Sequence, residues 1–261
     1  MTLDFYRKIR HVPAGILAKF FERQAEMTLR KNRPLWGLLQ DYLKNSPSTG
    51  CAYSDYLLLY NYIRNRKPKE VLECGTGVST VVIAYALKEN ERDYGIKGRV
   101  TSMEESPNYY NVALKLFPER ESLKSYAEIV LSPVMEDTYH FFRGIRYKDV
   151  PLRPYDFVFV DGPDYLCDPK GEIILFNFDF VDIVRKSEKP VGALIDTRTT
   201  TCFVYSLLFG DEFRYDYVRK VGIVEPVTKN DLAPVQKIVA RSMRAHSFKR
   251  PPFLNFIRGT Y

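Results

Sequence analysis

Two hydrophobic rhythms divide the chain. Residues 14–45 carry helical spacing, with Ile16, Leu17, Phe20, Phe21 and Met27 on one stripe and Leu35, Leu38, Leu39, Tyr42 and Leu43 on a second. The two patterns part near Asn32-Arg33-Pro34, and Pro34 suits a first helical turn. The stretch N-S-P-S-T-G at 45–50 reads as a loop. Ser54 is expected to cap a helix that runs to about Arg64, and Lys67-Pro68 to stop it.

From residue 69 onward, short β-rich runs alternate with helical segments. Strands are predicted at 69–73, 98–103, 127–131, 155–160 and 191–195. Helices are predicted at 78–89, 107–116, 134–143, about 172–186 and 199–208. This β-α-β-α order predicts an α/β fold with a parallel sheet covered by helices on both faces. The run F-V-F-V fits a strand buried on both sides. Residues 213–221 alternate and are expected to pair with 235–240 across E-P-V-T-K-N-D-L-A-P, as an antiparallel hairpin at the sheet edge.

Composition narrows the class. Of 261 residues, 45% are hydrophobic and 14% aromatic, enough to build a packed core. No apolar run reaches the roughly 18 residues that span a bilayer, and the N-terminus lacks a signal-peptide pattern, so a soluble cytoplasmic protein is expected. Cys51, Cys74, Cys167 and Cys202 are scattered, and the histidines are His11, His140 and His246, which disfavours a zinc site and suggests reduced thiols. The net charge of +7 is uneven: residues 1–45 hold nine Lys/Arg against four Asp/Glu, and 237–261 hold six Lys/Arg and no acid. Basic ends of this kind suit nucleic acid, an anionic surface or an acidic partner, or simply a solvated face.

In an open α/β sheet, ligands bind beyond the carboxyl ends of the strands. Four of the five predicted strands end in acids: Glu73, Glu104-Glu105, Asp161 and Asp196. After the first comes E-C-G-T-G-V-S-T, in which Gly75 and Gly77 allow a ligand close to the backbone. A dinucleotide fingerprint would have a third glycine where Thr80 stands, and no P-loop G-K-[ST] follows. Glu73 would repel a phosphate and favour a cation such as an amino group. Glu104 lies 29 positions beyond Gly75, with the polar loop 88–97 between, and can bind both hydroxyls of a ribose. A cationic amino-acid end, a ribose and no phosphate describe S-adenosylmethionine.

V-L-E-C-G-T-G-V-S-T, V-T-S-M-E-E-S-P and Y-D-F-V-F-V-D-G-P together resemble class I, Rossmann-like S-adenosylmethionine-dependent methyltransferases, nearest their small-molecule O-methyltransferase branch. The resemblance covers about residues 54–240. It implies a seven-stranded, mostly parallel sheet. It also implies that Glu73, Gly75, Thr76 and Gly77 surround the methionine moiety, Ser79 meets its carboxylate and Glu104 holds the ribose. The segment from Ser132 to Met135 would lie along the adenine. The expected organisation is an N-terminal helical extension at 1–53 (a lid or a homodimer surface), a methyltransferase domain at 54–241 and a basic tail at 242–261.

Methyl transfer needs an acceptor lone pair in line with the sulfonium, and often a base. Asp161 is the leading base candidate, with Asp196 and His140 beside it. Some relatives hold a divalent cation through one Asp after the fourth strand and an Asp-Asn pair after the fifth. Here Thr197 replaces that Asn, so Mg2+ on Asp161, Asp164 and Asp196 is not favoured. The Asn/Asp-Pro-Pro-aromatic run of enzymes that methylate amines of DNA bases is missing at D-G-P-D-Y. The expected acceptor is therefore a small hydroxylated molecule or sugar. RNA gripped by the basic ends, a non-catalytic cofactor-binding subunit and an aminopropyl transferase are the alternatives.

Overall fold

Two helices open the structure, a computed structural model that describes residues 14–46, 52–118, 120–164 and 175–232. Residues 1–13, the basic segment 237–261, the 235–240 strand expectation, Cys51 and Cys167 lie outside the described residues. Helices α1 (Ala14–Lys31) and α2 (Arg33–Asn45) divide where expected. The Asn32 side chain accepts from the Leu35 amide at 3.4 Å, and Pro34 opens the new helix. On α1 the buried positions are Ala25 and Leu29, whereas Ile16, Phe20 and Met27 are exposed. The chain carries two apolar stripes here, and packing against α3 (Tyr53–Arg66) selects the one the spacing did not. Ser54 does not cap α3, which begins one residue earlier. Instead the Glu22 carboxylate reaches over from α1 and accepts from the Tyr53 and Ser54 amides at 2.8 and 2.9 Å, which satisfies orphan N–H groups from outside the helix. Lys67 ends α3 in a left-handed conformation, just before Pro68.

The α/β core follows as β1 (Glu70–Cys74), α4 (Val78–Tyr94), β2 (Arg99–Glu104), α5 (Pro107–Leu116) and β3 (Ala127–Leu131). Next come β4 (Val134–Tyr139), β5 (Phe142–Tyr147), β6 (Phe157–Val160), β7 (Phe176–Asn177) and α6 (Asp179–Lys186). The last elements are β8 (Val191–Asp196), α7 (Thr199–Phe209), β9 (Phe213–Asp216) and β10 (Val221–Val227). Seven strands form one sheet in the order β3-β2-β1-β6-β8-β10-β9, parallel except for β10 and β9. The order reverses between β1 and β6, and that crevice is where an α/β sheet binds its ligands.

Strand periodicity puts helices on both faces. Val71, Phe157, Phe159 and Leu194 join one apolar core with α2, α3 and α4. Their neighbours Leu72, Val158, Val160, Ala193 and Ile195 join the other with α6 and α7. Alternation also places Glu73 on the α2–α4 side.

The antiparallel hairpin at the sheet edge is present, but three of the expected elements differ in kind or in bounds. Residues 134–143 are not helical: β4 and β5 form an antiparallel hairpin, and β5 carries β7 in a second, three-stranded sheet. His140 turns the chain between β4 and β5 at φ +56°. Gly144 lets β5 approach its neighbour, since a Cβ there would lie 2.8 Å from the Phe176 ring. The edge hairpin also differs, because 213–221 contains the turn itself. Asp216 accepts from the Val218 and Arg219 amides at 3.0 Å each, and β10 returns at once. The helix expected over 172–186 starts only at Asp179, after the short strand β7.

Candidate active site

The turn after β1 is tied together by the residue that replaced the third glycine. Thr80, in the first turn of α4, donates from its hydroxyl to Glu73 Oε2 at 2.6 Å and accepts from the Gly77 amide at 3.1 Å. The hydroxyls of Thr76 and Ser102 each lie 3.2 Å from Thr80 Oγ1. Sequence reasoning took Thr80 only as a missing glycine. The signal available was a β-branched hydroxyl one helical turn from Thr76 and seven residues from the acid.

Gly75 has φ +92°, which favours glycine, and a Cβ on it would lie 2.9 Å from the Gly162 amide nitrogen. Gly162, which precedes a cis proline, is equally constrained: its Cβ would lie 2.6 Å from the Gly75 nitrogen. The tips of β1 and β6 therefore meet backbone to backbone. The Asp161 amide donates to the Cys74 carbonyl at 2.9 Å, which places Asp161 beside the glycine turn. The Arg198 guanidinium donates to the carbonyl oxygens of Asp161 and, at 2.6 Å, Pro163, bracing that loop from the β8 side.

Glu73 is fully buried, and burial pushes its carboxyl up to about 7 against the opposing hydroxyls of Ser79, Thr80 and Ser102. Its Oε1 has no hydrogen-bond partner among the described residues. Glu104 ends β2 with Oε1 accepting from the Ser106 amide at 2.9 Å and Oε2 from the Thr76 amide at 3.4 Å. Partial burial and neighbouring Glu105 raise its carboxyl to about 6. Glu105 turns elsewhere: it accepts from the Tyr147 hydroxyl at 2.7 Å and the Asp164 amide at 2.9 Å, so it straps the β6 loop.

Glu73, Gly75, Thr76, Gly77, Ser79, Glu104 and Asp161 are thus gathered at the carboxyl ends of β1, β2 and β6. Other candidates are placed differently. Ser132 is buried, and its hydroxyl donates to the Pro133 carbonyl at 3.0 Å and accepts from the Asp149 amide at 3.0 Å. Met135 is exposed and pairs with Arg146 in the β4–β5 hairpin. His140 stands in the hairpin turn, exposed and edge-on to Tyr139. Asp196 ends β8 nearly buried, and with desolvation it raises the Asp55 carboxyl at the start of α3 to about 7. Asp55 escaped the sequence reading because only the fold brings α3 over β8. Asp164 is exposed on its loop. Among the described residues, no group of three or more His, Cys, Asp or Glu is placed to hold a metal ion, so Asp161, Asp164 and Asp196 do not form such a cluster.

Residues 72–170, from β1 past the β6 loop, match the family described as "Methyltransferase domain". Over those residues the chain is similar to that family. That match begins inside β1 and covers the glycine turn, Glu104 and Asp161. Among curated proteins, no significant relative is found. Solved structures similar to this chain include the O-methyltransferase TomG from Streptomyces achromogenes in complex with SAM. It is 16% identical, the match covers 65% of this chain and 68% of that one, and the TM-score is 0.41. The SAH-bound methyltransferase PaMTH1 from Podospora anserina is 16% identical over 67% of this chain and 65% of its own, with a TM-score of 0.41. An O-methyltransferase from Bacillus cereus in complex with SAH is 16% identical over 73% of this chain and 90% of its own, with a TM-score of 0.44.

Proposed function

We propose that the domain is an S-adenosylmethionine-dependent methyltransferase acting on an oxygen of a small hydroxylated molecule or sugar. The observation that carries this reading is the convergence of Glu73 and Glu104, on the tips of adjacent parallel strands, around a glycine turn without a lysine. Two carboxylates beside the turn disfavour a phosphate and favour an ammonium and a ribose. The buried, unpartnered Glu73 Oε1 fits a bound hydrogen-bond donor, since buried polar atoms are rarely left unmatched. When bound, the cofactor supplies an electrophilic methyl carbon on a sulfonium.

In this reading, Glu104 accepts from the ribose hydroxyls while its own N–H partners hold it still. Gly75 and Gly77 keep the turn open to the amino-acid end, where Ser79 adds a hydroxyl. Asp161, beside the glycine turn, takes the acceptor's proton. Asp196 and Asp55 line the far side, over β8. Burial, and after it the charge of Asp196, raises the Asp55 carboxyl toward neutral pH, a range suited to holding a proton near a hydroxylated acceptor.

Calorimetry with S-adenosylmethionine tests the reading. Glu104→Ala removes carboxylate hydrogen bonds worth about 1.5–3 kcal/mol each, so affinity should fall at least about tenfold. A wild-type protein without measurable binding, or a variant that binds as tightly, would sink the assignment.

A further inference from the structure

We infer that the outer face of helix α1 docks the protein on an anionic lipid surface. The helix carries two apolar stripes, and only the inner one, with Ala25 and Leu29, is buried in the fold. On the outer one, Ile16, Phe20 and Met27 stay 59%, 46% and 56% exposed. At 3.6 residues per turn these three side chains fall within about 40° of arc, so they form one ridge over about three turns. A single exposed apolar residue is ordinary, whereas an aligned set marks a contact surface.

Cations flank the ridge. The same spacing sets Lys19, Arg23 and Arg30 along one side of it and Lys31 along the other, all exposed. The two acids of α1 are engaged elsewhere: Glu22 accepts from the Tyr53 and Ser54 amides, and Glu26 pairs with Arg30 at 2.6 Å. Outward, then, α1 presents apolar side chains and long cationic ones, whose stems lie over acyl chains while their heads reach lipid phosphates. That composition selects the occupant. Two copies would meet with like charges, because a two-fold contact sets the same patch against itself. A nucleic acid would match the cations but leave the ridge in water. An anionic bilayer matches both, and residues 237–261, with six Lys/Arg and no acid, add attraction of the same sign. No helix among the described residues is long and apolar enough to cross a membrane, so the contact is peripheral. Lys19 and Arg23 also line a cavity of about 460 Å³ with Asp55 and Thr197, so the docking face adjoins the β8 end of the candidate site.

Co-sedimentation of the full chain with vesicles tests the inference. The vesicles are phosphatidylcholine alone, or the same lipid with about a third phosphatidylserine. The wild type should sediment with the anionic vesicles and not with the neutral ones. Phe20→Ser and Met27→Gln remove the ridge and should each lower partitioning about tenfold. Arg23→Gln should lower it about fivefold, the effect of one cation near a charged bilayer. All three side chains are exposed, so the variants should melt with the wild type. Lower melting of both ridge variants would show that the ridge packs within the fold, and would overturn the inference. A loss with Arg23→Gln but none with Phe20→Ser would reduce the contact to diffuse charge and overturn it too. Self-association that Phe20→Ser abolishes would assign the face to a second copy instead. A wild type that ignores anionic vesicles would leave the face to an acidic protein partner, and the lipid assignment would fall.

Discussion

Glu73 makes the stability of this domain depend on pH in a direction opposite to that of a salt-bridged acid. Its carboxyl is raised from 4.5 to about 7 by complete burial, so the folded state holds a proton that the unfolded chain releases. Its contribution to stability is full below the unfolded value and is lost as pH rises through the folded one. Linkage with these two values gives a loss of about 2–3 kcal/mol between pH 5 and pH 8 from this group alone. Asp55 and Asp179 are also raised to about 7 by burial and steepen the same slope, so the wild-type slope cannot isolate Glu73. Glu73→Gln can. The amide carbonyl still accepts from Thr80, and the site no longer titrates. Urea unfolding of both proteins at pH 5 and pH 8 should show the variant losing about 2–3 kcal/mol less than the wild type over that interval. A parallel pH dependence in the two proteins would show that Glu73 ionises normally and that the buried-acid reasoning is wrong.

Two further substitutions probe the frame of the site. Thr80→Val should lower unfolding stability by about 1–3 kcal/mol, because it strips partners from Glu73 Oε2 and the Gly77 amide together. Thermal melts would read this change, and a stability equal to wild type would show that the turn holds without its hub. Gly144→Ala places a methyl 2.8 Å from the Phe176 ring and 2.9 Å from Phe178 Cβ, and should cost about 1–3 kcal/mol in urea unfolding. An unchanged midpoint would mean that β5 and β7 do not meet in this register.

The legible part of the fold was the part with local causes. Strands β1, β2, β3, β6 and β8 fall within two residues of their predicted limits, because each is a short apolar run bounded by turn chemistry. Segment 134–143 misled because an apolar-polar mixture of that length satisfies either period. The φ +56° turn at His140 and the phenylalanines that select Gly144 are visible only in three dimensions. Ser54 looked like a cap because its type favours one, yet Glu22, 31 positions before Tyr53, does the capping. The turn inside 213–221 was written in Asp216, but alternation on either side masked it.

For the site, the sequence by itself determined which groups stand at the strand ends: Glu73, the Gly75–Gly77 turn, Glu104, Asp161 and Asp196. A strand that ends in an acid and then a glycine pair leaves little freedom about where those atoms go, since the chain must turn there. What only the tertiary structure decided was their company. It made Thr80 a hub, sent Glu105 to Tyr147 and Asp164, left Ser132 with structural partners, and set Asp55 against Asp196. Spacing along a helix reports which face is buried, but which polar atoms that face meets depends on packing between segments distant in the chain.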